Sequence, residues 1–365
     1  MRTLLITLEY PPFRGGIASY YGHLVKYWPW SENIEVLDNS HGELLAKNWR
    51  LPLAWWPALF SGWRRLKRRR IDYVLVGHIL PLGSAAFIWS LFRPVRYGVF
   101  LHGLDFSSAL SKPHRRWLSR LILRRAKNII CANSYLAKQV IAFDPSLAEK
   151  LRLINPGVEK GTPRLGQEIK KRLETDYGLE GKTVIFSLGR LVKRKGFDKS
   201  IAAISLLPKD IRENILYFIA GTGPDEDRLR SLVPPELSRQ IRFLGGLSED
   251  QKWAWLCHCD IFLMPSRDIG GDYEGFGIVY LEANLCGRPV IGGRQGGVSD
   301  AISHEESGLL VNGEDEADIA SAIARLSQDR ELREKLGSQG RKRAGEDFNW
   351  EKQAQAVCDM IKEKI

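Results

Sequence analysis

Apolar positions along the chain fall into short continuous runs separated by helically periodic stretches. TLLITLEY (3–10), IDYVLVGH (71–78), VRYGVFLHG (95–103) and NIICANS (128–134) each carry several consecutive apolar residues and end at Pro, Gly or polar residues. Runs of that length, buried on both faces, predict strands of a parallel sheet. Helical patterns lie between them, around 15–28, 83–92 and 113–126. Strand–helix alternation of this kind predicts a parallel sheet covered by helices. Residues 160–180 turn polar, with Gly and Pro, and read as a connector followed by a short helix. The alternation then resumes with TVIFSLGR (183–190), ILYFIAGTG (215–223), IRFLGG (241–246), IFLMPS (261–266) and RPVIGG (288–293). FNWEKQAQAVCDMIKEKI (348–365) reads as a final amphipathic helix.

The expected fold class is therefore α/β, with two Rossmann-like, doubly wound domains facing each other across a cleft. Domain limits are expected at 1–158 and 181–345, with a linker at 159–180. The helix at 346–365 is expected to pack back on the first domain. In doubly wound sheets ligands bind at the carboxyl ends of the strands, so the chemistry is sought in strand-end loops.

Composition adds constraints. The chain has 365 residues, 44% hydrophobic and 27% charged, which suits two globular domains. No apolar run approaches the eighteen residues of a membrane span, since the longest, 79–92, is broken by Pro81 and Gly83. The N-terminal apolar stretch is too short for a signal sequence and lacks a small-residue cleavage site. Five scattered cysteines suggest a reducing compartment and a cytoplasmic protein. Cys257-His258-Cys259 has no matching second pair, so it reads as buried helix-end residues rather than a metal cluster. Charge is asymmetric: residues 1–150 hold 22 Lys/Arg against 9 Asp/Glu, a net +13, whereas residues 151–365 net −2. The first half is therefore expected to meet an anionic partner or surface.

Four strand-end loops carry candidate chemistry. Gly15-Gly16, after Pro11-Pro12-Phe13-Arg14, opens a helix directly after a strand; bare amides there suit a phosphate or the close approach of a sugar. His102, in Leu101-His102-Gly103-Leu104-Asp105, ends another strand. Arg190-Leu191-Val192-Lys193-Arg194-Lys195 places four cations in six residues before a helix, a pattern that suits phosphate oxygens. EGFGIVYLE (274–282) sets Glu274 just outside a helix start and Glu282 more than a turn inside it. Two carboxylates can form an acid/base pair. Here they address different parts of one long ligand, with the helix N-terminus favouring negative charge between them.

PPFRGGI (11–17), HGLD (102–105), NPGV (155–158), GRLVKRKG (189–196), GTGP (221–224), EGFGIVYLEA (274–283) and RPVIGGRQGGVSDAI (288–302) occur in this order over essentially the whole chain. In this combination the chain resembles retaining glycosyltransferases of family 4, with the GT-B fold, and is similar to phosphatidylinositol mannosyltransferase-like proteins. The resemblance implies a sugar-nucleotide donor held mostly by the second domain. Arg190 and Lys195 would bind the donor diphosphate, Glu282 the ribose hydroxyls and Glu274 the transferred sugar. Amides around Phe276, Gly277 and Ile278 would join Glu274. Gly15 and Gly16 would approach the donor from the first domain, and His102 would lie near the transferred sugar. His102, Glu274, Arg190 and Lys195 are thus the expected catalytic set. No cofactor is expected: no clear D-x-D metal site is present, and Asp268 and Asp272 read as loop residues. Gly297-Val298-Ser299-Asp300 stands where the family often has Gly-Val-Pro-Glu, and Glu159 where Asp is common.

GDP-mannose is the first choice of donor and a UDP-hexose the second. The expected acceptor is a glycan or lipid-linked saccharide of the cell envelope. Arg64, Arg65, Lys67, Arg68, Arg69 and Arg70 follow Trp55, Trp56 and Trp63, and a second basic segment includes Arg115 and Arg116. Basic residues beside Trp suit peripheral attachment to an anionic membrane surface. A nucleic-acid-binding protein is the alternative from a different class; against it, no nucleic-acid motif is present and the second half is not basic.

Overall fold

The computed structural model describes residues 1–13, 15–45, 55–159, 161 and 167–363. Arg14 and residues 160 and 162–166 of the expected linker lie outside the described residues. The chain divides into two compact units, Met1–Gly157 with Trp350–Ile365, and Val158–Asn349.

The first unit is built on a six-stranded parallel sheet of β1 (Arg2–Ile6), β2 (Asn33–Leu37), β3 (Tyr73–Val76), β4 (Arg96–Leu101), β5 (Asn128–Cys131) and β6 (Leu151–Leu153). Its strand order is β2-β1-β3-β4-β5-β6. The chain winds outward from β1 to β2, then crosses back to β3 on the other side. Its topological switch point is therefore the gap between β1 and β3, where such sheets present a ligand crevice at their carboxyl ends. The central strands are apolar on both faces because helices cover both. Val74, Val76 and Val99 pack into one core, and Leu5, Leu75 and Phe100 into the other.

The second unit repeats the plan with β7 (Thr183–Leu188), β8 (Ile215–Ala220), β9 (Ile241–Gly245), β10 (Ile261–Met264), β11 (Val290–Gly293) and β12 (Gly308–Val311), in the order β12-β11-β10-β7-β8-β9. Its switch point lies between β7 and β10. Within the expected linker, the helix Gln167–Tyr177 packs on this unit, with the Tyr177 ring edge-on to Phe218 and Trp255.

Three strands escaped the sequence reading: β2, β6 and β12. β2 reads NIEVL, with only its last residue buried, and β6 has only three residues, LRL. Both are edge strands, so they lack the apolar run that marked the others. The expectation of scattered thiols is also corrected. Cys257 and Cys286 form a disulfide, which ties the end of the helix Glu249–His258 to the end of the helix Ile278–Leu285. Sequence alone could not bring two cysteines 29 positions apart together. Cys131, Cys259 and Cys358 are free and buried. Among the described residues no cluster of three His, Cys, Asp or Glu could hold a metal ion, and no helix is long and apolar enough to cross a membrane.

The helix Trp350–Lys362 belongs to the first unit and buries Trp350, Ala354, Val357 and Ile361 on one face. Trp350 is 3% exposed, edge-on to Tyr20 at 5.1 Å and stacked on His23 at 5.4 Å. Trp350→Ala should therefore destabilise the first unit by about 3–5 kcal/mol in urea unfolding. Trp117→Ala, at a residue 64% exposed, should change it by less than about 0.5 kcal/mol.

Candidate functional site

In the second unit, the loops after β7 and β10 flank the switch point. The first holds Arg190 to Lys195 and ends at Gly196, whose backbone sits at φ 74. A Cβ there would lie 2.1 Å from the Pro265 carbonyl oxygen, so only glycine lets this loop close against the chain leaving β10. The approach brings Lys195 to Glu274: Nζ and Oε2 are 2.6 Å apart, and each side chain is 11% exposed. Arg194 joins from the same loop, 3.9 Å from Glu274 and 3.3 Å from Asp272. Asp272, expected as a plain loop residue, thus anchors this corner. Arg190 is exposed and makes no ion pair among the described residues.

Glu274 leads into Phe276 (buried), then Gly277 and Ile278. Gly277 precedes the helix Ile278–Leu285 at φ 80, where a Cβ would meet the Tyr280 ring at 2.4 Å. Tyr280 packs beneath this turn and donates to the Met264 carbonyl oxygen at 2.5 Å, which pins the helix start to the end of β10. Glu282, one turn further on, pairs through Oε1 with Lys252 at 2.8 Å, and Lys252 also meets Glu249 at 2.6 Å. Burial opposes the Lys252 charge, yet the two carboxylates hold its pKa above the ordinary value. The second Glu282 oxygen has no partner among the described residues. Lys252 was not singled out in the sequence; it sits in a helix chosen only for its pattern, and nothing local marks it.

Two charge pairs thus form in this unit, Lys195–Glu274 between expected residues and Glu282 with the unexpected Lys252, while Arg190 makes no ion pair among the described residues. A helix N-terminus lies between the two glutamates. An extended anionic ligand with hydroxyls on both sides fits such a layout: phosphates near the cations and the helix start, hydroxyls at the carboxylates.

In the first unit, Gly15 is extended and Gly16 is the first residue of the helix Gly16–Lys26. A Cβ at Gly16 would meet nothing within 4 Å, so its surface is open. His102 follows β4. The Tyr21 hydroxyl donates its one proton to the Gly77 carbonyl oxygen at 2.8 Å and lies 2.7 Å from His102 Nε2. His102 must therefore donate through Nε2–H, leaving Nδ1 as an acceptor. Burial, with His78 adding, drops its pKa to about 3, so the ring is neutral. Asp105 Oδ1 accepts from the His102 and Gly103 amides, each at 2.9 Å, and fixes the turn. Burial pushes the Asp105 carboxyl up to about 6, against the pull of these amides.

On the basic segment, Arg65 and Arg69 are drawn to Glu35 at 2.5 and 2.7 Å. Arg64, Lys67, Arg68 and Arg70 remain exposed without an ion pair among the described residues. Arg115 and Arg116 are exposed, the latter lying over the Phe143 ring, while Arg120 and Arg124 are held by Asp144. The ring geometry carries one expected outcome. Nitrogen-resolved NMR should show His102 as the neutral Nε2–H tautomer from pH 5 to 8; a midpoint near the ordinary value of about 6.5 would contradict the hydrogen bonding described.

Comparison with known proteins bears on both units. Residues 20–161 match the model described as Glycosyltransferase Family 4, and residues 170–343 that of Glycosyl transferases group 1. The chain is 28% identical over 385 residues to the GDP-mannose-dependent alpha-(1-6)-phosphatidylinositol monomannoside mannosyltransferase of Mycobacterium tuberculosis, covering 99% of this chain and 98% of that one. It is likewise 28% identical over 383 residues to the Corynebacterium glutamicum GDP-mannose-dependent monoacylated alpha-(1-6)-phosphatidylinositol monomannoside mannosyltransferase, covering 99% and 97%. Among solved structures, Anabaena HepE in complex with UDP superposes with a TM-score of 0.79 at 19% identity over 100% of both chains. WaaG, a glycosyltransferase involved in lipopolysaccharide biosynthesis, superposes at 0.67 and 16% identity over 98% and 99%. With two doubly wound parallel sheets, both family models and full-length likeness to curated transferases, this chain belongs to the family 4 glycosyltransferases and has the GT-B fold.

Proposed function

We propose that the protein transfers mannose from GDP-mannose to a lipid-linked saccharide acceptor, with retention of anomeric configuration. The reading rests on one observation above the others: Arg190, Lys195 and the helix start at Gly277–Ile278 gather positive potential at the second unit's switch point, beside two carboxylates suited to hydroxyls. The mannose and guanine assignments are supported by the GDP-mannose-dependent relatives.

When the donor diphosphate arrives, it competes with Glu274 for Lys195. Lys195 and Arg190 then hold the phosphates, and Glu274, released from its ion pair, accepts from hydroxyls of the transferred sugar. Glu282 accepts from the ribose hydroxyls through its unengaged oxygen while Lys252 fixes its orientation. As the bond between the anomeric carbon and the phosphate oxygen breaks, negative charge grows on the diphosphate. Preorganised cations and amides stabilise that charge more than the ground state, which lowers the barrier. The acceptor hydroxyl attacks from the face the diphosphate leaves, and its proton passes to the departing phosphate oxygen. His102, neutral with Nδ1 as an acceptor, orients a sugar hydroxyl. Gly15 and Gly16 leave room for donor phosphate or sugar at the first unit's helix start. Arg190 and Lys195 supply the charge that a metal supplies in other transferases, so the reaction is assigned as metal-independent.

The acceptor is assigned to a membrane lipid on the exposed chemistry of the helix Trp56–Arg68. Trp56 and Phe60 are 57% and 62% exposed, and with Trp63 and Phe92 they line an apolar groove. Arg64, Lys67, Arg68 and Arg70 follow along the same helix and its end, and Arg115, Arg116 and the exposed Trp117 repeat the pairing nearby in sequence. Aromatic residues beside unpaired cations suit an anionic lipid interface.

Three outcomes are expected. In a thermal-shift panel of sugar nucleotides, GDP-mannose should raise the melting temperature most, and transfer should persist within twofold in EDTA; no shift with any donor would sink the enzyme reading. Arg190→Ala and Lys195→Ala should lower kcat by roughly 10²-fold. Glu282→Ala should instead raise the donor KM about tenfold, and equal small effects at all three would reject these roles. Finally, the protein should float with anionic liposomes at low salt and dissociate at roughly 0.5 M salt. Substitution of Arg64, Lys67, Arg68 and Arg70 by Gln should abolish flotation; neutral vesicles binding equally well would contradict an electrostatic contact.

A further inference from the structure

Beside His102 lies a pair of side chains that the proposed mechanism does not use. Glu9 follows β1 and His78 follows β3, so the two flank the first unit's switch point. Glu9 Oε1 is 3.9 Å from His78 Nε2, too far for a hydrogen bond. Among the described residues the Glu9 carboxylate accepts no hydrogen bond, although its side chain is only 31% exposed. His78 is 7% exposed, and its Nδ1 is buried without a partner. On the other flank, the missing side chain of Gly15 keeps Glu9 accessible: a Cβ there would lie 3.3 Å from Glu9 Oε2. Gly16, next in the chain, faces open space.

We propose that Glu9 and His78 form a hydroxyl-binding pair that selects a neutral polyol, a sugar or cyclitol ring, as the part of the acceptor bound by the first unit. A hydroxyl is donor and acceptor at once. Placed beside the two facing atoms, it donates to Glu9 Oε1 and accepts from Nε2–H of His78, giving each a partner that the described residues do not supply. A carboxylate at this point also disfavours an anionic group between Glu9 and His78. The contact is poorly suited to holding the fold on its own. Burial lowers the His78 pKa to about 4, so the imidazole brings no charge to Glu9 at neutral pH, and burial raises the Glu9 pKa. A half-buried carboxylate to which none of the described residues donates can be stabilised by a ligand hydroxyl. Unlike the proposed donor site, the pair uses no charge attraction; it discriminates by leaving Glu9 Oε1 and His78 Nε2 unbridged when the hydroxyl is missing.

This inference rests on the transferase reading for its role in catalysis, but its binding test does not. Saturation-transfer NMR on the full chain with myo-inositol and methyl α-D-mannopyranoside should give signals for at least one of the two. Glu9→Gln and His78→Phe should each weaken them at least fivefold, with thermal midpoints showing that both variants fold. Glu9→Ala serves as a second variant should the glutamine compensate as an acceptor. With phosphatidylinositol monomannoside in mixed micelles as acceptor, the Glu9 variants should raise acceptor KM at least tenfold and leave donor KM and acceptor-free donor hydrolysis within twofold. Absence of polyol signals, signals in both variants as strong as in the unaltered chain, or displacement of the polyol by equimolar inorganic phosphate would overturn the proposal. Polyol binding that survives while no sugar nucleotide stabilises the protein would keep the pair and reject the transferase reading.

Discussion

The candidate donor site of the second unit depends on one contact, the ion pair between Lys195 and Glu274. It joins the loops that leave β7 and β10, the two strands that bound the switch point. Because both side chains are largely shielded from water, neither can be left alone without the cost of an unpaired buried charge. The pair therefore holds the loops together when the site is empty. In the proposed mechanism its two halves separate onto phosphate and sugar when the donor binds. Glycines make the contact possible: Gly196 and Gly277 adopt left-handed backbone where a Cβ would strike Pro265 or Tyr280.

The same topological rule organises both units, with different chemistry in each. In the second, the switch point gathers cations and a helix start, which suits a diphosphate. In the first it gathers a carboxylate and two neutral imidazoles, which suits hydroxyls. The asymmetry follows from burial. His78 and His102 lose their charge to desolvation, whereas adjacent carboxylates hold the Lys252 cation against its burial. Among the described residues, much of the basic excess of the first half lies on the helices Trp56–Arg68 and Pro113–Arg125, and part of it is spent internally. Glu35 holds Arg65 and Arg69, and Asp144 holds Arg120 and Arg124, so a count of basic residues overstates the cationic surface.

Sequence by itself determined the α/β class, nine of the twelve described strands and the strand-end loops that carry candidate chemistry, because buried parallel strands need continuous apolar runs and ligand loops need glycine and charge. It also marked Glu274, Glu282, Arg190, Lys195 and His102, since their spacing matches a family pattern. Only tertiary structure decided which of them touch. That Lys195 pairs with Glu274 79 positions later, that Lys252 steadies Glu282, that Tyr21 fixes the His102 tautomer, and that Cys257 bonds Cys286 are long-range facts with no local signal. The edge strands β2 and β6 were illegible for a related reason: a strand paired on one side only needs little apolar sequence, and its place is set by the neighbour it joins. Burial decided the charge states as well. Nothing local in the sequence distinguishes His78 and His102 from an exposed histidine, and only the packing around them makes them neutral.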